Sequence, residues 1–276
     1  MNLWAVRSGC TPVCAVHAVP RESIARSLRR CAAFTRVITR ELGKGNRLAE
    51  TEAPTAGARA LLAALGVRVE KGPHERFAHS GRGTGVLVVA NHMSWIDPLA
   101  LVSIEPGSLL ARHDVGGWPV IGTLARRAGT VFIDRGSPRQ LPVVVAEVAS
   151  LLRSGRTVMA FPQATTWCSA SGGRFRRAVF QAAVDAGAPV RPVTIGYYQD
   201  GIPSTVAAFL GDDDYGTSLL RVSSARGLTV RVTAHPPIVG TDRRVLAAAA
   251  QEAIRRTDPG QPHGRTVRGQ RAGSGP

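Results

Sequence analysis

Cysteine is scarce in this chain: four residues in 276, at Cys10, Cys14, Cys31 and Cys168. They form no even framework of the kind that staples a small secreted fold. Cys10, Cys14 and His17 lie close together but fall one ligand short of a structural zinc site, so no metal is expected. Long apolar runs are missing too. No stretch approaches the roughly 20 residues that a membrane-spanning helix needs, and the N-terminus lacks the pattern of a secretory signal. The expected location is therefore the cytoplasm, peripheral or monotopic if a membrane is involved. Aromatic residues make up only 5% of the chain, and no interleaved stacking platform or recognisable nucleic-acid module occurs. A nucleic-acid partner is accordingly not expected. Acidic residues are the last deficit, 19 against 35 Lys plus Arg, for a net charge of +16. Such a surface attracts anionic lipids, phosphorylated substrates or acidic carrier proteins, and charge alone does not choose among them.

What the chain does contain is enough apolar residue, 44%, to build one substantial domain. Three regions are expected. Residues 1–55 form a basic N-terminal region and a possible membrane-docking element. Within it, Ile24, Leu28, Cys31, Phe34 and Ile38 recur at helical spacing while Arg26, Arg29, Arg30, Arg36 and Arg40 occupy other faces. This predicts a cationic amphipathic helix, suited either to a membrane interface or to packing on the domain. Residues 56–256 form the main domain. Residues 257–276, rich in Gly, Pro, Gln and Arg without apolar periodicity, read as a disordered basic tail.

From Val67 the pattern becomes short β-branched runs alternating with helical segments. The runs are Val67 to Val69, Val86 to Ala90, Leu109 to Ala111, Thr130 to Ile133, Thr157 to Phe161, Val190 to Ile195 and Leu228 to Ala234. Pro98 to Ile104, Val120 to Arg127, Pro138 to Leu152, Arg174 to Ala186 and Arg243 to Arg256 are the helical stretches expected after them. The alternation predicts an α/β fold, a mostly parallel central sheet flanked by helices, with the amphipathic helical segment at its N-terminus. Gly81 to Gly85 precedes a strand instead of following one, so it reads as a loop and not a dinucleotide fingerprint.

Three polar signatures fall at predicted strand ends: Asn91-His92-Met93-Ser94-Trp95-Ile96-Asp97, Phe132-Ile133-Asp134-Arg135-Gly136, and Phe161-Pro162-Gln163-Ala164-Thr165-Thr166. Ligands of parallel α/β sheets bind outside the carboxyl ends of strands, so the three loops are candidates for one site. His92 and Asp97 would diverge on an unbroken helix and can meet only across a turn. If they do, His92 is suited to general base catalysis with Asp97 fixing the ring tautomer. A blander reading makes Asp97 the N-cap of a helix with Pro98 at its first position. Arg135 is a candidate phosphate ligand, with a surface ion pair as the alternative. Thr165 and Thr166 offer hydroxyl donors. Asn91, Ser94, Gln163 and Arg174 are accessory candidates; no Gly-x-Ser-x-Gly elbow surrounds Ser94, which argues against a serine hydrolase. Trp95 and Trp118 are candidates for lining an apolar groove, or for the core.

These three blocks, with Pro189-Val190-Arg191-Pro192-Val193 as a fourth, resemble in order the blocks of the glycerophospholipid acyltransferases, whose type members act on lysophosphatidate. The resemblance spans about Val67 to Ala234. It implies acyl transfer from a thioester, acyl-CoA or acyl-carrier protein, to a lysolipid hydroxyl, with no cofactor. It also implies that His92 and Asp97 are catalytic and that Arg135 binds an acceptor phosphate. The third block departs from the family's Phe-Pro-Glu-Gly-Thr-Arg: Gln163 lacks the charge, Ala164 is strained if that position needs positive φ, and Thr166 lacks the bidentate clamp. Arg174, Arg176 and Arg177 follow closely. Threonine in the last position also resembles members that acylate lyso-ornithine lipid. The expected acceptor is 1-acylglycerol-3-phosphate, with a lyso-amino-acid lipid as the alternative and a catalytically weakened lipid-binding homologue as a reading of another class.

Overall fold

The β-branched runs assemble into one sheet. In the computed structural model, which describes residues 6, 8–16, 20–45, 53–72, 76–77, 83–117, 121–134 and 138–258, the strands are β1 (Arg68–Lys71), β2 (Leu87–Ala90), β3 (Ser108–Arg112), β4 (Val131–Ile133), β5 (Val158–Ala160), β6 (Val190–Gln199), β7 (Ile202–Pro203) and β8 (Leu228–Ala234). Their spatial order is β1-β8-β6-β2-β5-β3-β4, with β7 a short antiparallel partner of β6. From β6 to β4 every pairing is parallel. At the other edge β8 runs antiparallel to β6, and β1 follows β8. The sheet is thus mostly parallel, as the alternating pattern predicts, with a reversed pair of strands at one edge.

Both faces are covered, which is why β2 reads as an unbroken apolar run: all four of its residues are buried. Val88 and Ala90 face a cluster built with Phe34, Leu62, Leu101 and Val222. Leu87 and Val89 face the opposite cluster, with Val148, Leu152, Phe180 and Leu246. The helices divide accordingly. In chain order they are α1 (Ile24–Gly43), α2 (Ala53–Ala64), α3 (Asp97–Ile104), α4 (His113–Gly116), α5 (Ile121–Arg127), α6 (Leu141–Arg153), α7 (Ala178–Ala186), α8 (Tyr215–Ser224) and α9 (Arg243–Arg256). Helices α1, α2, α3 and α8 pack on the first face, and α6, α7 and α9 cover the second. Gly85 lies so close to the Arg156 carbonyl that a Cβ would not fit, a packing reason for one glycine of the 81–85 loop.

Local chemistry explains where the elements differ from expectation. Arg174 to Arg177 stay outside α7, because the Phe175 N–H goes to Gln251 Oε1 and the Arg176 N–H to the Pro162 carbonyl instead of into a helix. The sequence pattern misses α8, whose Gly216, Ser218, Ser223 and Ser224 are weak helix formers. Its Asp214 cap, accepting from the Thr217 N–H at 2.9 Å, supplies the start signal. In α1 the apolar stripe divides. Phe34 is buried in the core and Cys31 and Ile38 are half-buried, whereas Ile24 and Leu28 are exposed. Arg30 is not a surface charge: its guanidinium donates to the Ser223 and Ala225 carbonyls at 3.0 and 2.9 Å, tying α1 to the end of α8. Arg26, Arg29, Arg36 and Arg40 are exposed. Ahead of α1, Pro12–Ala15 forms a 3-10 turn that buries Ala15. Arg135, Trp118, His17 and all but the first two residues of the expected tail lie outside the described residues.

Candidate active site

Strand β2 ends at Ala90, and the chain turns before α3 begins at Asp97. That turn brings the His92 Nδ1 to 2.8 Å from Asp97 Oδ2. Asp97 is not the N-cap: Ile96 holds that place, and Asp97 is the first helical residue. Its carboxylate reaches back, and the same Oδ2 accepts from the Met93 and Ser94 N–H groups at 2.6 and 2.8 Å. Tyr197, from β6, donates its hydroxyl to Oδ1. Asp97 is fully buried, so this set of donors is what keeps an ionised carboxylate tolerable there. Burial, and then the Asp97 charge, push the Tyr197 phenol well above its ordinary range, so it keeps the proton that it donates to Asp97. With Nδ1 committed to Asp97, Nε2 is the ring nitrogen left to accept a proton.

The histidine is held from several sides. Phe161 stacks on its ring, with centroids 4.2 Å apart. Gln163 Oε1 accepts from the His92 N–H at 2.6 Å, and the His92 carbonyl accepts from the Trp167 N–H at 2.8 Å. The Met93 carbonyl accepts from the Phe209 N–H at 2.8 Å. Since β2 and β5 are sheet neighbours, the loops that follow them meet, as a site at the strands' carboxyl ends requires. Asn91 points the other way, pairing both ends of its amide with the Ile195 backbone, and Ser94 is buried with Oγ accepting from the Ile96 N–H. Both shape the turn. Trp95 packs against Phe34 and Tyr215 and donates Nε1 to Ser218 Oγ, so it joins the core.

Beyond Phe161 opens a cavity of about 330 Å³. Leu110, Ile133, Val144, Val148 and Val179 line its walls, and Asp134, Arg176 and Arg177 supply its charged groups. Strand β4 lies two places from β5, so the second signature meets the cavity through Ile133 and Asp134. Arg174, exposed, is not among the residues lining this cavity.

Residues 68–196 match the family described as Acyltransferase. A 1-acyl-sn-glycerol-3-phosphate acyltransferase of Neisseria meningitidis serogroup B is 36% identical over 201 residues, 71% of this chain and 77% of the relative. This chain belongs to the acyltransferase family. A lyso-ornithine lipid O-acyltransferase of Pseudomonas aeruginosa is 38% identical over 172 residues, 62% of this acyltransferase and 66% of its own length. The crystal structure of the 1-acyl-sn-glycerophosphate (LPA) acyltransferase from Thermotoga maritima shares the fold, with a TM-score of 0.59, 18% identity, and coverage of 84% of this chain and 93% of that one.

The altered third block of this acyltransferase is internally consistent. Gln163 is buried and uses its amide at both ends: while Oε1 holds the His92 N–H, Nε2 donates to the Ala170 carbonyl at 3.2 Å and to the Gly172 carbonyl. A carboxylate would face those two carbonyls with no proton to give. Thr166 donates its hydroxyl to the Phe209 carbonyl, and Thr165 is half-buried in the same loop. Thr166 therefore braces the loop; it is not presented as a clamp. Ala164 does adopt positive φ, 65°, the conformation that favours glycine. Ala164→Gly is expected to stabilise the acyltransferase by about 1 kcal/mol, raising Tm by roughly 2–4 °C in a calorimetric scan. An unchanged or lower Tm would show that the strain is relieved elsewhere. Tyr197 and Phe161 are the site residues that sequence reasoning missed. The alternation of Val193, Ile195 and Tyr197 onto one face of β6, beside β2, marks Tyr197 as a core position but not as a partner of Asp97.

Proposed function

We propose that this acyltransferase moves a fatty acyl group from a thioester, acyl-CoA or acyl-carrier protein, to the hydroxyl of a lysolipid. The observation that carries the proposal is His92 with Nδ1 bound to a buried Asp97 and Nε2 left over as base. Nε2 takes the proton of the acceptor hydroxyl as that oxygen attacks the thioester carbonyl. Asp97 offsets the charge on the resulting imidazolium, and the proton then passes to the departing thiolate, with no covalent acyl-enzyme on the path. The apolar cavity behind Phe161 suits a fatty acyl chain, and Arg176 and Arg177 give it a cationic border. 1-Acylglycerol-3-phosphate is the favoured acceptor. A lyso-ornithine lipid is kept as the second reading because Thr166 replaces the clamp expected for a phosphate and because the Pseudomonas relative bears that activity's name.

Docking is proposed at an anionic membrane surface. No helix among the described residues is long and apolar enough to cross a membrane. Ile24 and Leu28 on α1, Val13 and Val16 on the preceding segment, and Leu220 on α8 are exposed apolar side chains, and exposed arginines occupy α1. One experiment addresses acceptor and surface together: purified protein, one labelled acyl-CoA, and anionic vesicles carrying either lysophosphatidate or lyso-ornithine lipid. Diacyl product is expected with lysophosphatidate, and protein should sediment with vesicles at low salt and be released at high salt. Product from lyso-ornithine lipid alone would move the assignment to the second reading. Salt-insensitive failure to sediment would remove the docking role.

A further inference from the structure

Cys10 and Cys168 are 158 positions apart in sequence, yet their Sγ atoms lie 3.2 Å from one another. Neither belongs to the acyl-transfer machinery. Cys168 is buried with Ala15, Ala208 and Leu210, and the half-buried Cys10 packs on the same small cluster. We propose that this pair is a dithiol site which a small-molecule disulfide oxidises to an intramolecular Cys10–Cys168 bridge, fastening the N-terminal segment to the loop that holds His92.

Geometry favours this pair over the other thiols. Closing the bond to the ordinary length of about 2.05 Å asks for roughly 1 Å of movement. The segment around Cys10 is already docked: Thr205 Oγ1 donates to the Cys14 carbonyl at 2.6 Å, and the Cys10 carbonyl lies against Gly211, where a Cβ would come within 3.3 Å of it. Cys14 is exposed, and Cys31 sits on α1 with its thiol on Ser223 Oγ at 3.3 Å. The chemistry is exchange. The more accessible Cys10 thiolate attacks one sulfur of the small disulfide, breaking its S–S bond, releasing one small thiol and leaving a mixed disulfide on Cys10. Cys168 then attacks Cys10 Sγ, and the second small thiol departs. The two protein thiols give up two electrons and two protons, and the small disulfide takes them up.

The bridge would act on the catalytic turn through one neighbour. Trp167, adjacent to Cys168, donates its N–H to the His92 carbonyl. Linking positions this far apart also restricts the unfolded chain, so the oxidised protein should resist unfolding.

The test uses the full-length protein with oxidised glutathione as the probe, followed by intact mass under non-reducing conditions and peptide mapping. The expected result is the loss of two hydrogens, one linked pair of peptides containing Cys10 and Cys168, reversal by dithiothreitol, and a Tm higher by about 5 °C in the oxidised form. Cys10→Ser and Cys168→Ser should each abolish the linked pair. Folded wild-type protein that carries only a glutathione adduct on Cys10, that links Cys10 to Cys14, or that retains all its thiols would overturn the proposal. The readout is mass, so it stands apart from whether the acyl-transfer assignment is right.

Discussion

His92→Ala is expected to lower kcat for acyl transfer about 10³-fold while leaving the protein folded, because it removes the base and little else. Without the imidazole, Asp97 still accepts from the Met93 and Ser94 N–H groups and from Tyr197, so the buried carboxylate keeps most of its partners. The turn itself is held by main-chain bonds that alanine preserves: the N–H of residue 92 to Gln163 Oε1, and the Trp167 and Phe209 N–H groups to the carbonyls of residues 92 and 93. Circular dichroism and denaturant unfolding should therefore be near wild type beside a collapsed rate. Undiminished turnover in purified His92→Ala would remove the base from the mechanism, and a rate loss matched by unfolding would make the residue structural.

Asp97→Asn is the companion case, with a different signature. The carboxylate accepts three donors at Oδ2 and a fourth at Oδ1. An asparagine oxygen can keep the three, but its NH₂ then meets Tyr197, whose hydroxyl must turn to accept. Loss of charge-assisted hydrogen bonds in a buried position should cost about 2 kcal/mol of stability. The imidazolium formed during transfer also loses its counter-charge, so kcat should fall by roughly 10²–10⁴-fold. Asp97→Asn is thus expected to affect both folding and rate, and His92→Ala the rate alone. Full activity in Asp97→Asn would mean that the carboxylate only organises the turn.

The central pair was legible in the sequence because both members lie within seven residues after an apolar strand. A helix start at that point also called for the reversal that brings them together. Which position caps the helix was not legible: Ile96 and not Asp97 takes it, since the carboxylate is drawn back to the Met93 and Ser94 amides. Strand pairing across the chain was the harder part. Tyr197 supports Asp97 from 100 positions away, and nothing local in β6 distinguishes a core tyrosine from one aimed at a carboxylate. The third block shows the same limit. Position 164 needs positive φ, as its place in the motif implied, but Gln163 reads as a lost charge until the Ala170 and Gly172 carbonyls beside it are seen. The paired edge of β8 and β1 likewise depends on which strands meet, information that periodicity does not carry.

The most direct measurement is the stoichiometry of a single reaction: purified protein, an acyl thioester and lysophosphatidate in anionic vesicles, with free thiol and diacyl lipid quantified together. Direct transfer predicts one thiol released for each diacyl lipid formed, in wild type and not in His92→Ala. Thiol release without diacyl lipid, or the same product from both proteins, would contradict it.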